Sequence, residues 1–234
     1  MENKRPAPRP FAFPDHMRRS ERTAALIYLP IHVFALPYLL PYLAALFPGL
    51  DNISLNAVYY GVGFVYVLGF CTPFLRKGFD ITLDAPGAFL YSVLGAWVME
   101  YFLSALLTLA LSAFNVGLSS PNNDAVVEMI AYDRNRLIGI TVFLAPLVEE
   151  ILFRGLLFGA LAGRRRRLAW VVSVAAFSLY HVWQYAIADP AALLSAVFYI
   201  PGSIALTWCY ERTGSIWSPI AYHMLSNFIA VMLS

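Results

Sequence analysis

An all-α, polytopic membrane protein with about seven transmembrane helices is the fold this sequence predicts, and three observations point to it. Hydrophobic residues make up 60% of the 234 and charged residues only 13%, with a mean hydropathy of +0.65, a balance foreign to water-soluble domains. The apolar residues run in unbroken blocks of about the 20 residues needed to cross a hydrocarbon layer ~30 Å thick. Those blocks do not alternate in polarity as barrel strands would, and helices are then the way for a lipid-exposed backbone to satisfy its own hydrogen bonds.

Residues 1–22 stand apart, with several prolines and Lys4, Arg5, Arg9, Arg18, Arg19 and Arg22. They read as a disordered basic cytoplasmic tail, followed by a single transmembrane helical domain over residues 23–234. Thr23 to Phe47 is too long for the ~7–15-residue core of a secretory signal and reads as the first span. Further spans are expected at Asn56 to Leu75, Ala88 to Phe114, Leu137 to Leu161, Leu168 to Ala186, Ala191 to Tyr210 and Ile216 to Leu233. Pro30, Pro37 and Pro41 should kink the first span and Pro201 the sixth.

Charge placement tests that arrangement. With a cytoplasmic N-terminus, the tail, Arg76, Lys77, Arg164 to Arg167 and Arg212 all fall on one side, leaving only Arg134 and Arg136 outside and Arg154 within a span. This asymmetry obeys the positive-inside rule. It predicts a multi-pass protein of the cell membrane, and it assigns Arg164 to Arg167 to topology rather than to a polyanion. A net charge of +2 likewise gives no reason to expect nucleic acid. The loop Asn115 to Arg136 is expected to be a surface connector with a short interfacial helix. Cys71 and Cys209, both near cytoplasmic helix ends, are expected to remain free thiols.

Ionisable side chains inside hydrocarbon are costly and mark function. They are His32, Glu100, Glu149, Glu150, Arg154, His181 and His223. Glu150 and Arg154 are four apart, hence on one helical face and able to pair. Glu149 points about 100° away and has no partner at that spacing, the setting of a general base. Phe177 with His181, and His223 with Asn227, repeat the four-residue spacing on two other helices. A carboxylate, two imidazoles and an amide can hydrolyse an amide bond: the carboxylate takes a proton from water, an imidazole orients that water or returns the proton, and the remaining donors hold the oxyanion. Glu149, His181 and His223 equally make a His2Glu zinc set with an open fourth position. Residue types leave both readings open, with cofactor none or Zn. No nucleophile elbow or phosphate-cradling glycine loop is present.

These three motifs resemble those of the CPBP family, the CAAX proteases and bacteriocin-processing enzymes also called the ABI family. Glu149, Glu150 and Arg154 match its Glu-Glu-x-x-x-Arg motif, which here continues into Gly155. Phe177 and His181 match Phe-x-x-x-His, and His223 and Asn227 match His-x-x-x-Asn, in the family's order and over about residues 137–227. The resemblance implies an intramembrane endopeptidase with its active site inside the helical bundle. It implies Glu149 as the base that activates water, His181 as its partner, and His223 with Asn227 as oxyanion stabilisers. Glu150, Arg154 and Phe177 carry over as supporting residues. It also implies a peptide or lipidated protein substrate within the membrane, of CAAX type or in bacteriocin and peptide processing, and it leaves glutamic and metal-dependent chemistry both open. Two other classes use the same buried residues: an ion-coupled transporter or proton relay, and a catalytically silent scaffold or bacteriocin-immunity protein.

Overall fold

The computed structural model describes residues 13–234, and most of the expected basic tail lies outside the described residues. The part that is described is packed, not loose. Phe13 and Met17 are buried, and Glu21 reaches from the first helix to accept from the Phe74 backbone N–H at 2.7 Å. The helical domain therefore takes in residues that composition assigned to the tail, because Phe13 and Met17 are apolar side chains with a core to enter.

The helices follow the apolar blocks. Helix α1 spans Arg19–Leu46, α2 Asn52–Asp84 and α3 Pro86–Ala113. After α4, Pro121–Ile138, come α5 (residues 139–162), α6 (Arg166–Tyr180) and the short α7 (Trp183–Ala188). Helices α8, Pro190–Thr213, and α9, Trp217–Leu233, complete the order. The fold is a helical membrane bundle, as its sequence predicts. Much of its apolar surface faces outward: on α3 only Ser92, Val93 and Ala96 are buried, while Leu90, Leu94, Val98 and Phe102 are exposed, as suits contact with lipid.

The expected seven spans are not all present. Among the described residues, four helices are long and apolar enough to cross a membrane: α1, α2, α3 and α8. Helix α6 has 15 residues, short of a full crossing, and α9 has 17, at the lower end of the about 17–25 that suffice. Helix α5 is long enough but carries Glu149, Glu150 and Arg154. It is instead the inner post of the bundle, packed by α1, α2, α6, α8 and α9, with Ala145 through Leu156 buried throughout.

Proline and backbone geometry shape these rods. The turn Ile31–Ala35 that comes after Pro30 is π-helical, and so are Gly139–Leu144, ahead of Pro146, and Ile151–Phe158. Proline withholds an N–H, and widened turns absorb the resulting mismatch; such turns recur at functional sites. Where α5 passes the N-terminal segment there is no room for a side chain. A Cβ on Gly155 would lie 2.9 Å from Phe74 and 3.2 Å from Met17. Gly155→Val is accordingly expected to destabilise the protein by about 1–3 kcal/mol through overpacking, read as a lower melting temperature in detergent.

The turn before α2 ties that helix to α4. Asp51 caps α2 by accepting from the Ser54 N–H at 2.7 Å and pairs with Arg136 at 2.7 Å. The Arg136 hydrogen bond, with Ser54 adding to it, holds the Asp51 carboxyl well below the usual carboxylate range. Because its folded value is depressed, this contribution is complete above the unfolded value of about 4 and is lost as pH falls through the folded one. The melting temperature of wild type should therefore exceed that of Asp51→Asn at neutral pH, and the gap should close in strong acid. A gap that does not change with pH would contradict this.

Candidate active site

The first motif lies on α5, where the Glu150–Arg154 pair expected from spacing forms at 3.0 Å with both side chains wholly buried. Arg154 also donates to the Ser203 hydroxyl at 2.9 Å and its carbonyl at 3.2 Å, and its guanidinium lies 4.1 Å over the Phe177 ring. Phe177 thus covers the cation with its π face. The same Glu150 oxygen receives His223 Nδ1 at 2.8 Å. A carboxylate only accepts, so Nδ1 carries the hydrogen and Nε2 is turned the other way.

Glu149 faces a different neighbourhood, as the helical period requires. The Tyr60 hydroxyl donates to its Oε1 at 2.8 Å, and its Oε2 lies 3.8 Å from His223 Nε2. That distance is too long for a direct hydrogen bond and invites a bridging water. Glu149 is 2% exposed yet lines a cavity of about 1340 Å³ together with Tyr60, Tyr180, His181, His223 and Asn227.

His181 is one turn farther out. Helix α6 ends at Tyr180, and Val182 leaves helical geometry with φ −126, so the expected span to Ala186 stops early. Phe177, not His181, is level with His223, with ring centroids 5.8 Å apart. His181 Nδ1 lies 2.9 Å from the Phe177 carbonyl, which can only accept, and Nε2 is therefore the lone-pair nitrogen. Its ring stacks on Tyr199 at 4.4 Å. Asn227 lines the cavity while its amide donates to the Thr141 carbonyl at 2.8 Å; a second amide hydrogen remains.

Glu149 and His223 are thus brought side by side, whereas His181 and Asn227 join them around the same space without a direct bond to Glu149. Among the described residues, no three His, Cys, Asp or Glu side chains are gathered as ligands of one ion. The His2Glu set does not close as placed. Glu100, a half-buried carboxylate, forms no ion pair with Arg154; it accepts from Tyr222 and from Ser226 between α3 and α9. Cys71 and Cys209 are free and buried.

Two features were missed from sequence. The segment Asn115 to Arg136, expected to be a surface connector with a short interfacial helix, carries the 18-residue α4, and the part not foreseen is that its Asn122, Asn123, Val126, Met129 and Ile130 line the cavity. Within α4 the chain kinks at Asp133, which caps the next turn by accepting from the Arg136 N–H at 3.1 Å. Tyr60 was missed as well, although a phenol in mid-membrane always needs a partner.

Comparison with known proteins points to the segment that carries the three motifs. Residues 135–229 match the model of a family described as Rce1-like, type II CAAX prenyl endopeptidase Rce1-like. YdiL of Bacillus subtilis (strain 168), provisionally named a membrane peptidase, is 26% identical over 144 residues, covering 58% of this chain and 55% of that protein. The chain spans about half the length of this curated relative. No solved structure matches it. The recognition drawn from the three motifs is thus borne out: the segment that carries them is similar to the Rce1-like endopeptidase family.

Proposed function

We propose that this chain is an intramembrane endopeptidase that hydrolyses a peptide bond of a membrane-associated substrate, of CAAX or peptide-processing type, with water activated by Glu149. The observation that carries this reading is a buried carboxylate beside an oriented imidazole on the wall of a large cavity inside a helical bundle. A water between Glu149 Oε2 and His223 gives its proton to Glu149 while its oxygen bonds to the scissile carbonyl carbon. The carbonyl oxygen becomes an oxyanion, held by the remaining Asn227 amide hydrogen, while the His223 Nε2 lone pair accepts from the attacking water and orients it. Collapse breaks the carbon–nitrogen bond, and the proton passes to the leaving amine, with His181 Nε2 orienting the water or relaying that proton. Glu150 and Arg154 hold the site from beneath, since Glu150 fixes the His223 tautomer and Arg154 neutralises Glu150.

The test is reconstitution in liposomes with membrane-tethered reporter peptides, with and without a lipidated CAAX tail. Mass spectrometry should find a single cleavage that requires membrane attachment. Transport of an ion or solute with no peptide product would overturn the reading in favour of a relay, and neither activity would favour a silent scaffold.

A further inference from the structure

His32 belongs to none of the motifs, yet it is wholly buried in the π-helical turn of α1. A buried imidazole needs hydrogen-bond partners, and its partners lead to Glu149. His32 Nε2 lies 3.2 Å from the Tyr180 hydroxyl, Tyr180 lies 3.2 Å from the Tyr60 hydroxyl, and Tyr60 donates to Glu149 Oε1 at 2.8 Å. On the far side, the Tyr59 hydroxyl donates to the His32 carbonyl at 2.9 Å and lies 3.0 Å from Tyr180.

Counting hydrogens fixes two of the donors. Each phenol has one hydrogen, whereas a carbonyl or an ionised carboxylate has none. Tyr60 gives its hydrogen to Glu149, and Tyr59 gives its hydrogen to the His32 carbonyl. Tyr180 has three acceptors in reach, Tyr60, Tyr59 and the His32 Nε2 lone pair, and the arrangement that runs toward Glu149 is the one in which His32 donates through Nε2–H and Tyr180 donates to Tyr60. Nδ1 is then the acceptor, facing the Tyr28 hydroxyl at 3.5 Å. Hydrogen bonds in series polarise one another where the dielectric is low.

We infer that His32, Tyr180 and Tyr60 form a positioning row that holds one oxygen of Glu149 and leaves the other turned toward His223 and the cavity. The row draws on three helices that carry no catalytic carboxylate, α1, α2 and α6. It gives the half of the chain without motifs a part in the proposed reaction. None of the three touches the scissile bond; they act through Glu149. This inference rests on the protease reading.

The experiment uses full-length protein in liposomes and the reporter peptide. Tyr60→Phe keeps the ring and removes the donor; it should lower kcat about tenfold or more while leaving KM within about twofold. His32→Phe should do likewise, whereas His32→Gln, which keeps an N–H donor, should recover most of the rate. Tyr66→Phe, on the same helix but bonded to the Ala24 carbonyl, should be unchanged. As a readout independent of turnover, the Glu149 carboxylate band is isolated by infrared difference against Glu149→Gln and should shift in Tyr60→Phe. Unchanged kcat in Tyr60→Phe with active wild type, or an unshifted band, overturns the positioning row. A shifted band with wild type that cleaves nothing leaves the row standing and removes the protease reading.

Discussion

Arg154→Met is expected to unfold a large fraction of the protein, with a loss of about 3–5 kcal/mol, because it strips the counter-charge from a wholly buried carboxylate. Glu150 then keeps only His223 as donor on one oxygen, and its other oxygen has no partner among the described residues. The guanidinium also fills space above Phe177 and ties α5 to α8 through Ser203. Its removal therefore leaves unsatisfied polar groups on two helices. Thermal melting in detergent and yield after membrane extraction measure the effect. A melting curve like that of wild type would show that the buried pair is no structural post.

Glu149→Gln should behave in the opposite way. Glutamine is nearly isosteric, and its carbonyl oxygen still accepts from Tyr60, so the fold and its melting temperature should be preserved. What is lost is the ability to take a proton from water, and general-base catalysis contributes about 100–10,000-fold. The neighbouring Glu150→Gln separates the two roles: it leaves the buried Arg154 without a charge partner and should cost stability before it costs chemistry. Two adjacent carboxylates, about 100° apart on one helix, thus give one variant that is folded and inactive and another that is unstable.

Local signals made part of this molecule legible in its sequence, and tertiary ones did not. Helicity and membrane character are written in composition and block length, and both appear in the fold. The Glu150–Arg154 pair came from four-residue spacing alone, and the motifs lie within residues 135–229, which match the Rce1-like family model. The count of seven spans exceeds the four helices long and apolar enough to cross among the described residues, in part because hydropathy does not distinguish an apolar helix that faces lipid from one sheathed by its neighbours, as α5 is. The position of His181 was also hidden, since nothing local signals that α6 ends at Tyr180 and leaves the imidazole a turn above His223. Tyr60, Tyr180 and His32 come from three helices distant in sequence. Their hydrogen bonds are tertiary facts, which no periodicity along the chain records.

Addition of Glu149-activated water to a peptide carbonyl inside the bundle is the step on which the proposed chemistry stands. Running the liposome reaction in heavy-oxygen water and weighing the products tests it without an intermediary. Wild type is expected to yield a new C-terminal carboxyl bearing one heavy oxygen, and folded Glu149→Gln to yield no product. The same labelled product from Glu149→Gln, at the wild-type rate, would contradict the mechanism.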